Sequence, residues 1–512
     1  MTKESAANNK RIVKNTMLLY IRMMLIMVIQ LYASRVILNT LGIIDYGLYN
    51  VVGGVVTLFA FLDNAMITST QRYITFALGA GDTKRLQLAF TTSIQIHAII
   101  SFIVFILGET VGLWLFYNKM VIPPDRLVAA MWVYQLSIAA MIVQIMSTPY
   151  NAMIIAHEKM GVFATISIIE AVLKLLILFV LVILDYDKLI VYAVLVLLAQ
   201  FLVRMLYATY CKRHFPASKL IKSYNKPLVK EMSNFAGWNL FGNLAAMLYD
   251  TGLNILLNMF FGPAVNAARA ISIQVESAVH RFVTGFQTAV NPQITKLYAQ
   301  GQKDDLHKLI FRSSKITFFL LAVLMLPIAV SAEPILTLWL KIVPEHTVAF
   351  LRILFCVSIV TSMANPITTS AAATGNIKKY QIVLSSILLS IVPISWVTLK
   401  AGAPPITVFI VMLVICVVTF VVRLFFLRTM IGLPLMGFVR QVALPCFFVG
   451  FLSVTAALLV SFLLRGISLS WVYVSILSAF IAFLFVFFIG LSISERTFIL
   501  VELKRLITRK KT

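Results

Sequence analysis

The sequence predicts an all-α, polytopic membrane protein with about 14 transmembrane helices. Three observations carry that prediction. Of 512 residues, 61% are hydrophobic and only 12% charged, about half the charged share of an average soluble domain. The mean hydropathy is +0.96. Apolar runs near the roughly 20 residues that a bilayer-crossing helix needs recur from Thr16 to Leu491. Their continuity excludes a β-barrel, whose strands alternate between two faces.

In chain order the expected spans are 16–38, 46–68, 88–113, 127–150, 162–184, 189–210, 235–258, 265–291, 313–333, 348–372, 380–399, 405–427, 441–463 and 470–491. The first run is too long for a signal-peptide core and lacks a small-residue cleavage site, so it reads as a retained span. A short glycine-bearing gap containing Asp45 separates it from the second. Gly79–Lys84, after the second span, lacks the GxxxxGK spacing of a phosphate-binding loop. The fourth and tenth spans each carry a proline and end at basic loops, Lys159 in one and Lys378-Lys379 in the other.

The net charge of +24 follows the connections rather than a nucleic-acid face. Assigned alternately, about 29 Lys and Arg fall on the side of the N-terminus, about 7 on the other side and about 7 inside spans. This positive-inside bias is expected to place both termini in the cytoplasm. The basic stretch from Lys212 to Lys230 is expected to lie against anionic lipid headgroups. Cys211, Cys356, Cys416 and Cys446 are scattered without a CxxC and read as small core residues, not metal ligands.

An internal repeat recurs at an offset of about 220 residues. Asn39-Thr40-Leu41-Gly42 is followed by Gly81-Asp82-Thr83-Lys84, and Leu257–Gly262 by Gly301-Gln302-Lys303-Asp304. Thr148-Pro149 precedes Ala156 by the same interval that separates Asn365-Pro366 from Ala373. Six spans is an even number, so the copies share an orientation and a pseudo-twofold along the membrane normal, with the substrate site expected where they meet. The expected organisation is a cytoplasmic N-terminus over 1–15, an N-lobe over 16–210 and a basic loop over 211–234. A C-lobe over 235–427, two further helices over 428–491 and a basic tail over 492–512 complete it.

The eighth span carries the strongest functional pattern. Arg269, Ser272, Glu276, His280, Thr284, Gln287 and Asn291 follow at spacings of 3, 4, 4, 4, 3 and 4, within a narrow sector of one helical face. The row runs about 33 Å at 1.5 Å per residue. Hydrocarbon penalises each charge by at least roughly 2.5 kcal/mol, so the row is expected to face a solvated cavity; hydrogen-bonded helix packing is the plainer alternative. In the seventh span Asn239, Asn243, Asp250, Asn254 and Asn258 follow the same logic. The repeat offset carries Asp250 to Gln30, Thr284 to Asn64 and Asn291 to Gln71, giving the first half a polar lining without the charges.

Embedded bases outnumber acids. Arg22, Arg35, Lys174, Arg204, Arg269, Arg281 and Arg423 stand against Asp63, Glu170, Asp250 and Glu276. Glu170 and Lys174, four residues apart, have the geometry of a self-neutralising pair, and Arg35 lies near enough to a helix end to snorkel. His97, flanked by Ser93 and Ser101, reads as a packed polar residue. The surplus is expected to attract an anionic group such as a diphosphate, with Arg22, Arg35, Arg269, Arg281 and Lys174 as candidate binders. Gln30, Asn64, Gln71, Asn243, Asn254, Thr284, Gln287 and Asn291 are the candidate lining, and Asp63, Asp250, Glu276 and His280 the candidate ion- or proton-coupling groups.

The opening of the chain resembles a known family. Lys14-Asn15-Thr16 with Leu19-Tyr20-Ile21-Arg22, then Ser34–Gly42, then Asp45-Tyr46-Gly47-Leu48-Tyr49, resembles bacterial polysaccharide-biosynthesis membrane proteins. These are the Wzx-type O-antigen and capsule flippases of the multidrug/oligosaccharidyl-lipid/polysaccharide exporter superfamily, which includes the MATE transporters. The match in detail covers about the first hundred residues, and the span count extends it. The resemblance implies translocation of an undecaprenyl-diphosphate-linked oligosaccharide by alternating access, coupled to a proton or sodium gradient and without a bound cofactor. It also implies working beside polysaccharide polymerase machinery. No family ion site matches residue by residue.

Two other functions compete. A cation-coupled multidrug antiporter of the same superfamily favours an acidic lumen, against the basic surplus of the embedded residues. A membrane enzyme acting on lipid-linked glycans needs a substantial loop to hold catalytic residues, and the outer connections are short. The expectation is therefore a transporter, not an enzyme.

Overall fold

The computed structural model describes residues 15–27, 60–119, 122–183, 186–340, 343–465, 469–493 and 495–497 with a few isolated positions, and the regular structure in them is helical. Gln30 and Arg35, and the side chains of Asp63 and Asn64, lie outside the described residues. Helix α1 spans Asn15–Met27. It is followed by α2 (Ala60–Gly79), α3 (Thr83–Leu107), α4 (Leu113–Lys119), α5 (Leu127–Ala156), α6 (Met160–Ile183) and α7 (Lys188–His214). Then come α8 (Lys226–Phe261), α9 (Pro263–Ala299), α10 (Lys303–Val330), α11 (Ala332–Leu340), α12 (Thr347–Met363) and α13 (Asn365–Thr374). The last are α14 (Lys378–Leu389), α15 (Ile391–Lys400), α16 (Ile406–Ile431), α17 (Leu435–Phe438), α18 (Leu444–Leu463) and α19 (Ser470–Phe485).

Eleven helical stretches among the described residues are long and apolar enough to cross a membrane, and the protein is multi-pass. Helix α9 is not among them, although it is 37 residues long, because its row of charges and amides lowers its hydropathy. Helix α2 runs to Gly79, past the predicted end at residue 68. An apolar window measures bilayer thickness rather than helix length. Beyond the window, Ile74 and Ala77 still bury against Met153 and Ile154 of α5 and extend the helix.

Helix termini follow local chemistry. Asp82 caps α3 by accepting from the backbone N–H of Arg85, and Asp187 caps α7 by accepting from those of Leu189 and Ile190. The sequence repeat has a structural counterpart. Gly81 and Gly301, 220 positions apart, both take φ of +71° just after α2 and α9. Residues 71–80 and 291–300 also match in burial position by position. The proline echo differs: Pro149 stays inside the unbroken α5, whereas the helix breaks at Ala364 so that Pro366 lies in the first turn of α13. Proline lacks the N–H that would close the preceding turn, and either a lost bond or a break satisfies that constraint.

Two compact units divide the chain. The first comprises Met1–Leu244 with Thr288–Gln302 and Gly375–Gln381, and the second Ala245–Gln287, Lys303–Thr374 and Ile382–Thr512. In the first, Ile74, Phe90, Met153, Ile154 and Cys211 form one core, and Phe116, Val133, Tyr134, Ile138 and Leu189 another. In the second, Leu253, Leu257, Phe350 and Phe409 form a core with the last two rings stacked at 4.2 Å. Helices α18 and α19 pack on α10 in that unit. They turn Ser453 and Ser478 inward and Phe447, Phe451 and Phe480 outward. Small polar residues inside and large apolar ones outside is the arrangement that lipid, unlike water, rewards.

Helix α3 joins α4 through a π-turn at Gly108–Gly112. The Tyr134 hydroxyl donates to the Gly108 carbonyl at 2.6 Å, and a Cβ on Gly112 would overlap the same phenol oxygen. Gly112→Ala is therefore expected to displace Tyr134 and cost about 1–3 kcal/mol, read as a lowered unfolding midpoint in detergent, while Gly237→Ala, which meets no neighbour, stays close to the wild type.

The segment after α19 is tied back by Glu495, which accepts from Lys315 Nζ at 2.8 Å, from Arg312 Nε at 3.3 Å and from the Ser492 backbone N–H at 2.8 Å. Burial pushes this carboxyl up, but the bonds from Lys315 and Ser492 outweigh it and hold it below the usual carboxylate range. A depressed folded pKa stabilises at neutral pH and the contribution is lost as pH falls through that depressed value. Acidification below the ordinary carboxyl range, about pH 4, is therefore expected to lower the protection of the peptide containing Glu495 relative to the intrinsic exchange rate at that pH, and Glu495→Gln to lower it at pH 7.

Candidate functional site

The row predicted on α9 is built into the second unit by bonds to two neighbouring helices. Asp250 and Asn254, one turn apart on α8, both point to the Arg269 guanidinium. Arg269 Nη2 meets Asp250 Oδ1 at 2.5 Å and Nη1 meets Asn254 Oδ1 at 2.6 Å, with the Asp250 carbonyl at 3.3 Å from Nη2. The arginine side chain is 4% exposed and the aspartate 56%. The guanidinium is thus buried with its charge met, and the carboxylate remains partly open.

Further along α9, Ser272 Oγ donates to the Ala268 and Thr347 carbonyls at 2.8 and 3.0 Å. His280 Nε2 lies 2.9 Å from Ser362 Oγ, and two turns later Gln287 Nε2 donates to the Ser362 carbonyl at 3.1 Å. Helix α12 is therefore gripped at Thr347 and twice at Ser362. Four of the seven row members hold neighbouring helices, so the face packs the bundle as well as presenting polar groups.

Glu276 is different. It is half-buried, it accepts from Ser277 Oγ at 3.4 Å, and among the described residues no cation lies within ion-pair distance. One turn on is His280, and one turn further is Thr284, exposed and bonded to the His280 carbonyl at 3.1 Å. An acid without a facing base leaves a negative charge that the helix itself does not answer.

The other candidates are dispersed. Lys174 is paired with Glu170 at 2.7 Å on the exposed face of α6. Arg281 and Asn243 are exposed, Gln71 and Asn291 half-buried and Gln287 buried. Arg22 is half-buried in α1 with its guanidinium 4.4 Å above the Phe163 ring and its Nε without a hydrogen-bond partner among the described residues. Ser362 and Thr347 escaped the sequence reading, although Ser358 and Ser362 at helical spacing in an apolar span were a signal. Arg423, counted among the embedded bases, donates to Thr368 Oγ1. No group of three or more His, Cys, Asp or Glu side chains suited to a metal gathers among the described residues.

This architecture is the fold of the MATE transporters. A family model described as MatE matches residues 239–397, which include Asp250, Asn254, Arg269, Glu276 and His280. An outward-facing multidrug resistance MATE family transporter of the MOP superfamily superposes with a TM-score of 0.72 at 14% identity, covering 83% of this chain and 96% of that one. A MATE crystal structure in the bent conformation also superposes at 0.72, with 15% identity over 84% of this chain and 98% of that one. A MOP superfamily transporter from Pyrococcus furiosus, reported with a binding pocket of reverse polarity that suggests a different function, superposes at 0.70 with 14% identity, covering 83% of this chain and 96% of that one. Comparison with curated protein sequences gives no match.

Asp250→Ala is expected to strand a buried guanidinium and lower stability by about 1–3 kcal/mol, at the low end because the lost carboxylate is partly solvated. The double variant Asp250→Ala with Arg269→Met is expected to recover part of that loss in the same thermal unfolding assay.

Proposed function

We propose that this chain is an alternating-access exporter of the MATE type, expelling organic cations in exchange for an inward-moving proton or sodium ion. The observation that carries the reading is Glu276: a half-buried carboxylate on a membrane helix with no base in ion-pair reach among the described residues. Pairing Arg269 with Asp250 and Lys174 with Glu170 removes as many acids as bases and leaves the embedded surplus as counted, but it withdraws two of the candidate phosphate binders and leaves Glu276 without a base in reach among the described residues. The acidic group left over suits a cation better than a phosphate. The fold and the MatE match across the segment that contains Glu276 support the same reading.

Arg22 favours a second reading. Its guanidinium, stacked on Phe163 with an unsatisfied Nε among the described residues, is the kind of group that engages a diphosphate. Together with the resemblance of the opening residues, it supports export of a lipid-diphosphate-linked oligosaccharide from the cytoplasmic to the outer leaflet of a bacterial inner membrane, next to a polymerase. The reverse-polarity relative is a reminder that one fold can host pockets of either sign.

The two readings separate in proteoliposomes. On the first, an imposed proton or sodium gradient drives movement of a cationic dye, Glu276→Gln lowers that rate at least tenfold and Arg22→Ala leaves it within about twofold. Reorientation of a lipid-diphosphate sugar that Arg22→Ala abolishes, with no dye movement, would transfer the assignment to the second.

A further inference from the structure

Two pieces of the second half of the sequence, Thr288–Gln302 and Gly375–Gln381, belong to the first unit. What holds the first of them there is an unusual acid. Glu158 follows α5 with φ of +58°, a conformation that side-chain-bearing residues rarely adopt, and its side chain is 2% exposed. Its carboxylate accepts from Lys296 Nζ and from Gln293 Nε2, both on the last turns of α9. Its carbonyl accepts from Asn15 Nδ2 of α1 at 3.3 Å. Leu19, Met160 and Ala289 close an apolar cluster beside it.

The repeat places Gly375 at the equivalent position, 217 residues on, with φ of +81°. There the roles are reversed. The loop offers no side chain, and the Arg72 guanidinium of α2 fills the space that a Cβ on Gly375 would need. Arg72 also lies 4.5 Å from the Tyr73 ring centre and 5.1 Å from that of Phe235, while Tyr73 donates to Glu231 at 3.0 Å. Between the two clusters α2 and α9 meet closely: a Cβ on Gly79 would lie 2.9 Å from Lys296 Cα and 3.1 Å from Ala299 Cβ. His157 stacks on Phe215 at 4.0 Å, so Glu158 sits at the end of the unit that carries the basic Lys212–Lys230 stretch.

We propose that Glu158, with Lys296 and Gln293, is a releasable charge latch that holds the terminal third of α9 in the first unit, and that its release frees this segment during transport. The inference rests on the exporter reading above but not on which substrate is carried. A permanent junction would be expected to use apolar packing, since a buried ion pair is weak as a source of stability. A buried pair instead makes a contact that is firm while complete and fails once a single partner leaves. The positive φ at Glu158 is compatible with that design, because glycine, free of strain, stands at the repeat-related site where no carboxylate is required. Glu158 is a positioning residue here: it acts through α9 and touches no substrate.

Hydrogen–deuterium exchange of the full-length protein in phosphatidylethanolamine–phosphatidylglycerol nanodiscs tests this. In Glu158→Gln, peptides within 288–302 are expected to exchange at least tenfold faster, with those within 263–287 changed less than twofold. Lys296→Met, which keeps Glu158 in place, is expected to do the same and serves if the first variant folds poorly. The charge reversal Glu158→Lys with Lys296→Glu is expected to bring 288–302 back to within about threefold of the wild type. Unchanged exchange in both single variants, a uniform rise along α9, or a reversal that restores nothing would each overturn the latch. The readout needs no substrate, so a failed dye assay with the expected exchange pattern would remove the cation reading and leave the latch standing.

Discussion

A charge carried into a membrane has to be met by a partner, and much of this structure is arranged around that requirement. Hydrocarbon offers no hydrogen bonds and little dielectric relief, so an unmet guanidinium, ammonium or carboxylate costs several kcal/mol. Arg269 is met by Asp250 and Asn254, Lys174 by Glu170, Lys315 by Glu495 and Lys296 by Glu158. All but the Lys174 pair, which lies within α6, also fix a contact: α8 to α9, the segment after α19 to α10, and the α5–α6 connection to the end of α9. The fold's polar bonds and its helix packing are therefore one system. Glu276, with no base beside it among the described residues, and Arg22, with its Nε unbonded among them, depart from that pattern, and the two transport readings start from these groups.

The repeat shows how one architecture can be given two chemistries. Gly81 and Gly301 share a backbone conformation, and the burial of residues 71–80 recurs at 291–300. Yet one half places a carboxylate at Glu158 against Lys296, while the other places a bare glycine at Gly375 against Arg72. Backbone geometry is preserved because helix ends and turns depend on a few local residues. Charges vary because each needs only one complementary group nearby, and that group can come from any adjacent helix.

Much of the helical layout was legible in the sequence because bilayer crossing imposes a local rule: an apolar stretch of fixed length, readable without knowing its neighbours. The capping residues Asp82 and Asp187 act on backbone within three positions of themselves. The single polar face of α9 follows from helical periodicity alone. Helix lengths were less legible. Residues 70–79 stay helical through contacts with α5, which no hydropathy window registers.

The sequence by itself determined the class of molecule, the positions of most spans, the repeat and the face on which α9 carries its polar groups, since all of these depend on chain-local spacing. Only the tertiary structure decided which charges cancel. From composition, Arg269 and Lys174 belonged to a basic surplus; in the fold each faces a carboxylate, so the surplus rests on the other embedded bases and Glu276 has no base in reach among the described residues. Nothing local in the sequence singles out Glu158, and only folding brings Lys296 and Gln293, 138 and 135 residues away, to its carboxylate. The reason is physical: periodicity is a property of one helix, whereas neutralisation is a property of two groups brought together by everything between them.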